Sequence, residues 1–462
     1  MQISGRRAVI VLSVILIADF MELLDGTIVS VAAPAIAAEL GAGEAALQWL
    51  VAGYTLAVGA GLITGGRLGD QYGRRRMFLL GLAGFLVASI GCGLAPDSGT
   101  LIAMRVLQGL AGGLMIPQVF GVIRATFAPE ARAKALGAYG AVLGVASVAG
   151  PLLGGLLVGS GWGWRSIFWV NVPIAIIGLI VGAKYMPESR VDERQRLDVP
   201  GALMSAAAVL LLMLPLVQGR DWGWPWWAFA LMVLAVPLGW VFMGRERRLV
   251  AQGEQPIFDP GLLRVRAFTG GLAASLLFFG ALGSYFLLLS LYLQLGTGRT
   301  AMETGLVILP YALASIVTSG IGVQFANRAV IVSGSVLLAA SQVILLLMIG
   351  DGGNPSYWAL AVPLTIGGLG LGLTAPSLIN VVLAGVPSEN AGAAGGVLTT
   401  VTQLGNAVGV AILGAVFFST LGAENDYGAA LESILPWQVL CYVAAAGLMF
   451  LLPKKAMQTE HA

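Results

Sequence analysis

Three carboxylates and one guanidinium lie where the chain is otherwise uncharged. Asp19, Glu22 and Asp25 recur every third residue within the apolar run 8–32, and Arg105 stands alone within 99–122. At about 100° per residue the three acids span an arc of roughly 120° on one helix, with Glu22 in the middle. Charge at bilayer depth costs several kcal/mol unless it is paired or hydrated. One arginine cannot neutralise three acids, so the surplus must be protonated, hold a cation or be solvated. The chemistry this set could do is therefore reversible binding of protons and cations. A static ion pair that fixes helix packing would account for one of the acids and leaves the other two unexplained.

Other chemistry is poorly supplied. His461 is the lone histidine and lies in the polar C-terminal tail, so no histidine relay can operate inside the membrane. Cys92 and Cys441 sit in apolar runs and read as small packing residues. No metal-ligand cluster, Cys/His pair or nucleophile elbow is present, so no enzyme, metal or cofactor is indicated. The basic residues follow membrane topology, as shown below, and indicate no nucleic-acid partner.

The elements that must position these groups follow from composition. Of 462 residues 58% are hydrophobic and 10% charged, against about 25% charged in a soluble domain, and mean hydropathy is +0.88. The 65 glycines suit closely packed helices in lipid. Apolar runs bounded by charges or by Gly, Pro, Asn and Asp predict fourteen spans. They are 8–32, 47–67, 76–95, 99–122, 133–159, 165–186, 199–217, 224–244, 268–294, 303–325, 329–350, 357–384, 391–421 and 435–453. The first is no cleaved signal peptide, because acids interrupt it and thirteen spans follow.

With both termini cytoplasmic, 21 of the 25 Lys and Arg residues fall on the cytoplasmic side and only Arg165, Arg220 and Arg299 outside. That asymmetry is the positive-inside pattern. The longest polar segments, 187–198 and 245–267, flank the pair 199–217 and 224–244, whose connection holds Trp222, Trp224, Trp226 and Trp227 as an interfacial belt. Removing that pair leaves six spans on each side. The predicted domains are an N-terminal six-helix bundle (1–186), a central insertion (187–267) and a C-terminal six-helix bundle (268–462), the repeat logic of many secondary transporters.

Span depths can be compared. At ~1.5 Å per residue, Asp19, Glu22 and Asp25 lie about 17, 21 and 26 Å in from the cytoplasmic side. Arg105 lies roughly 9 Å below the outer boundary of a core of ~30 Å. It is thus level with Glu22 and close to Asp25, and is expected beside one of them.

After the second span the chain reads Gly66-Arg67-Leu68-Gly69-Asp70-Gln71-Tyr72-Gly73-Arg74-Arg75-Arg76. Its glycines allow a tight turn, and Asp70 can pair with a following arginine. This string resembles the signature loop of the major facilitator superfamily, with Gln71 replacing an arginine. Arg105-Val106-Leu107-Gln108-Gly109 is similar to that family's Arg-x-x-Gln-Gly motif. Gly137 together with Gly150-Pro151-Leu152-Leu153-Gly154-Gly155 resembles its antiporter motif, with Ala146 in place of a usual glycine. Leu24-Asp25-Gly26-Thr27-Ile28-Val29-Ser30-Val31-Ala32-Ala33-Pro34 resembles the first-helix string of fourteen-helix drug:proton antiporters, with Ser30 for asparagine. Residues 322–328 only faintly echo the signature loop.

The resemblance implies an all-α integral membrane protein of the bacterial cytoplasmic membrane, built on the major facilitator fold with fourteen transmembrane helices. It implies proton-coupled export of hydrophobic, cationic drugs by alternating access, without a cofactor, as a monomer; no periplasmic adaptor is indicated. Asp25, Glu22, Asp19 and Arg105 are the expected coupling and cation site, with Asp25 leading. Gly66, Asp70, Gly73, Arg74 and Arg75 form the expected cytoplasmic latch. Gly137, Gly150, Pro151, Gly154 and Gly155 combine a close-packed seam with a bend at proline. Candidates to line the cavity are Gln108, Gln294, Tyr311, Asn380, Gln403 and Asn406; for each of the last five, taken singly, an interhelical hydrogen-bonding role is the stronger reading. Export of one endogenous metabolite, and a receptor that binds without flux, are the competing readings.

Overall fold

The computed structural model describes residues 5–451 apart from 43, 128, 160, 190–197, 220–221, 255, 326, 351–354, 385, 387–390 and 422–425. His461, Arg190, Arg194, Arg196, Arg220, Lys454 and Lys455 lie outside the described residues. Helices α1 to α5 are Gly5–Leu40, Glu44–Tyr72, Arg74–Gly93, Ser98–Thr126 and Pro129–Val158. Next, α6 is Gly163–Tyr185, made of a 3-10 turn and the helical pieces Ser166–Trp169 and Asn171–Tyr185. The inserted pair is α7 (Val199–Gln218) and α8 (Trp226–Ala251). The rest are α9 (Arg266–Leu291, prolonged by a π-type turn Tyr292–Gly296), α10 (Ala301–Gln324), α11 (Arg328–Ile349), α12 (Tyr357–Ala384), α13 (Ala391–Leu421) and α14 (Tyr427–Leu448). Each of the fourteen expected spans falls on one of these helices. Among the described residues, ten helices are long and apolar enough to cross a membrane by length and composition.

Helix ends depart from the expectation where side chains cap them. The last span was expected at 435–453, yet α14 starts at Tyr427. Asp426 is the reason: its Oδ1 accepts from the backbone N–H groups of Gly428 at 2.9 Å and Ala429 at 3.0 Å, satisfying donors a helix start leaves open. Ser433 donates its hydroxyl to the Ala430 carbonyl at 2.7 Å and is thereby accommodated within the helix. Asp97 starts α4 in the same way, accepting from Thr100 N at 2.8 Å. The Thr100 N–H, and then the Thr100 hydroxyl, hold the Asp97 carboxyl below the usual carboxylate range.

The chain divides into two compact units. One comprises Met1–Ala135, Leu153–Leu262 and Pro387–Thr400; the other comprises Leu136–Leu152, Leu263–Val386 and Val401–Ala462. In the first, α2 and α4 approach so closely that a Cβ on Gly113 would come within 2.8 Å of the Val58 carbonyl oxygen. The inserted pair packs in this unit, with Met213 of α7 seated over Gly59 of α2. In the second unit, α9 and α13 cross with Gly280 against Gly409, where a Cβ on Gly409 would collide with the Gly280 carbonyl. Gly409→Ala must push two backbones apart, so a loss of at least the ~1–3 kcal/mol typical of overpacking is expected. Thermal unfolding in detergent should show a fall of several degrees. Gly414→Ala, which meets open space, should show none; equal melting temperatures for the two variants would refute the seam.

Candidate functional site

The polar core of the first unit is built around Asp25 on α1, which is 1% exposed. Arg105 of α4 donates from Nη1 to Asp25 Oδ2. Oδ1 accepts from Gln108 Nε2 at 3.1 Å and from Asn171 Nδ2 of α6 at 2.7 Å. Arg105, itself 0% exposed, also donates from Nε to the Leu50 carbonyl of α2 at 3.1 Å and from Nη1 to Gln108 Oε1 at 2.7 Å. Its guanidinium carbon lies 4.0 Å from the centre of the Tyr54 ring, close enough for a cation–π contact. Gln108 completes the set by donating to Ser89 Oγ of α3 at 2.8 Å. One carboxylate thus ties α1, α4 and α6 directly, and its partners reach α2 and α3.

The other two acids are held differently. Tyr54 of α2 donates its hydroxyl to Glu22 Oε1 at 2.8 Å. Asp19 is 1% exposed, and among the described residues its Oδ2 has no hydrogen-bond partner. A buried carboxylate oxygen in that position is costly when charged, as removal of a charge from water without compensation always is. The three acids therefore sit in one buried cluster with a single arginine, and that arginine takes Asp25.

The loop between α2 and α3 is ordered by an internal ion pair and by bonds to the end of α6 and the segment after it. Arg74 grips Asp70 through Nε at 3.1 Å and Nη2 at 2.7 Å. Gly73 between them has φ 106°, a conformation that side-chain-bearing residues rarely adopt, and a Cβ there would strike the Glu188 carboxylate. Glu188, from the segment after α6, accepts the Arg75 N–H at 3.2 Å, and the Ser189 carbonyl accepts the Arg74 N–H at 2.9 Å. Arg75 in turn donates to the Ala183 carbonyl. Gly66 faces Pro117 of α4.

The remaining expected residues are scattered. Gly154 packs against Ile28 and Val31 of α1, Gly150 is buried and Gly155 half-buried on α5. Gly137 and Pro151 belong to the same helix, and their packing lies outside the described residues. Gln108 belongs to the Asp25–Arg105 cluster and is fully buried. In the second unit, Gln294 donates to Ser290 Oγ at 2.8 Å, and Asn406 to Gln403 Oε1 at 3.2 Å; Asn380 is half-buried. Tyr311 is fully buried against Phe286, ring centres 5.1 Å apart.

Sequence reasoning missed Asn171, Tyr54, Ser89 and Glu188. Asn171 carried a usable signal, being an amide inside an apolar span where it needs a partner. Tyr54 and Ser89 carried none, because tyrosine and serine are common in such helices.

A family model described as the Major Facilitator Superfamily matches residues 15–410. The chain belongs to the major facilitator superfamily. It is therefore a membrane transporter rather than an enzyme. Among relatives of this superfamily member, a probable actinorhodin transporter of Streptomyces coelicolor is 42% identical over 89% of this chain and 73% of its own length. A methylenomycin A resistance protein of the same organism is 34% identical over 94% and 88%. The fold is that of solved transporters: the human organic anion transporter TETRAN superposes with a TM-score of 0.63 over 96% of this chain and 100% of its own, at 15% identity.

Proposed function

We propose that this major facilitator superfamily protein exports hydrophobic, cationic small molecules in exchange for protons by alternating access. The observation that carries the reading is the α1 acid cluster: three buried carboxylates, one arginine, and one acid whose bonds reach five helices. Protonating Asp25 removes its charge attraction for Arg105 and weakens its hydrogen bonds from Gln108 and Asn171. A single proton is thereby converted into a change felt by α1 to α4 and α6. Glu22 and Asp19 supply the surplus negative charge that a cationic substrate would neutralise, with Glu22 second to Asp25 in proton response and Asp19 third. The relatives, one named a transporter and one a resistance protein, support the direction of transport.

The finer placement is part of the same proposal. The protein acts as a monomer in the bacterial cytoplasmic membrane, both termini cytoplasmic, with six-helix bundles at 1–186 and 268–462 and the inserted pair at 187–267 along the chain. The loop from Gly66 to Arg76 is the cytoplasmic latch. Transport of one specific metabolite is the second reading, favoured by the 42% identity to a relative named for a single compound.

Reconstitution in proteoliposomes with an imposed pH gradient tests the proposal. Uptake of a lipophilic cation should follow the gradient, and adding that cation should drive proton movement in return. Flux of a single metabolite and none of a panel of cations would select the second reading. Binding without any flux would make the protein a receptor and sink both.

A further inference from the structure

Glu246 is a buried charge that the function above does not use. It lies in the last turns of α8 within Arg245-Glu246-Arg247-Arg248, yet it is 0% exposed. Its Oε2 accepts the Phe258 N–H at 2.9 Å, and among the described residues its Oε1 has no hydrogen-bond partner. The first turn of α7 presses on it: a Cβ on Gly201 would come within 3.1 Å of Oε1. The adjacent Arg245 ties the same corner, gripping Asp198 from Nε at 3.0 Å and from Nη2 at 2.7 Å. Partial burial disfavours a charge on Asp198, but the hydrogen bonds from Arg245 and Gly201 N–H outweigh it and hold the carboxyl below its usual range.

The consequence lies one residue along the chain. Ile257, Phe258 and Leu262 are buried, so the segment after α8 folds back onto the first unit. Its Ile257 carbonyl accepts from Arg67 Nε at 3.1 Å. Arg67 is the second residue of the signature loop, three before Asp70. Glu246 therefore reaches the loop through a continuous path: its carboxylate fixes Phe258, the neighbouring Ile257 carbonyl is aimed, and that carbonyl orients Arg67. A carboxylate taken out of water is expensive unless its bonds are needed, and an apolar residue would have filled the same space without fixing the backbone.

We infer that Glu246 is a positioning residue for the cytoplasmic latch, acting through residues 257–258 on Arg67, so that the inserted helix pair is a working part of the latch. The inference rests on the transporter reading for its functional half only.

The test begins with labelling, which needs no transport. Ile257→Cys is placed on a Cys92→Ala, Cys441→Ala background in nanodiscs and treated with a maleimide. Labelling is expected to be slow with Glu246 present and at least ~10-fold faster in Glu246→Ala. It should stay slow in Glu246→Gln, whose amide oxygen still accepts from Phe258. Should Glu246→Ala fail to fold, Arg67→Ala carries the same test, since losing the other anchor should also speed labelling. Unchanged rates in the folded alanine variants, or a glutamine variant as fast as alanine, would overturn the inference. On the parent sequence, Glu246→Ala and Arg67→Ala should each lower kcat several-fold with KM unchanged, and the double variant should be no slower than the worse single. Losses that multiply would show two independent roles and overturn it. A parent protein without flux would remove the transporter reading, and the labelling result would still decide whether Glu246 positions the segment.

Discussion

Asp25→Asn is expected to abolish proton-coupled efflux, and adding Arg105→Gln is expected to restore stability without restoring transport. The first half follows because asparagine cannot take up and release a proton at the point where α1, α4 and α6 meet. The second half follows from the pairing. Removing one partner of a buried ion pair costs about 3–5 kcal/mol because the other charge is left unpaired. Arg105 keeps its bonds to the Leu50 carbonyl and Gln108 and its contact with Tyr54, so the single variant should still fold, with a markedly lower melting temperature. Deleting both charges removes the penalty, so the double variant should melt near the parent. Flux in proteoliposomes should fall at least ~100-fold in both variants, with Glu22→Gln weaker in effect or narrower in substrate range. If Asp25→Asn together with Glu22→Gln still acidifies proteoliposomes on drug addition at the parent rate, coupling lies elsewhere and the α1 acids are structural.

Asp70→Asn is expected to slow turnover about five-fold while leaving substrate affinity and thermal stability nearly unchanged. The Asp70–Arg74 pair is one helical turn apart and about one-fifth exposed at each side chain. Exposed and part-exposed pairs of this kind contribute at most ~1 kcal/mol to stability. A bias of ~1 kcal/mol between two conformations nonetheless changes their ratio about five-fold. Loss of the pair should therefore appear in kcat rather than in unfolding. Stopped-flow turnover with parallel binding and melting measurements separates the outcomes. An Asp70→Asn, Arg74→Ala double variant with full turnover would remove the latch role, and loss of folded protein would make the pair a packing device.

The amino-acid sequence by itself determined the class of fold and the inventory of charges. Apolar length and the positions of charged residues set fourteen spans because a bilayer crossing needs about twenty residues without uncompensated charge. The same reasoning singled out Asp19, Glu22, Asp25 and Arg105, since each is anomalous where it stands, and the ordered glycines, acid and arginines of residues 66–76 stood out in one dimension.

Only the tertiary structure decided how those charges are shared. Depth along the membrane normal placed Arg105 level with Glu22 and near Asp25; the choice depended on the rotation of α1 and α4 about their axes, which a linear sequence does not specify. Tyr54 takes Glu22, while Gln108 and Asn171 converge on Asp25 with Arg105. Helix ends set by side-chain caps, such as the start of α14 at Tyr427, were likewise beyond hydropathy. Glu246 shows the limit most clearly. In sequence it is one charge in a polar run, and it becomes a buried anchor only because residues 256–262 fold back over it. Burial is a property of what packs around a residue, and long-range packing is written in no local pattern.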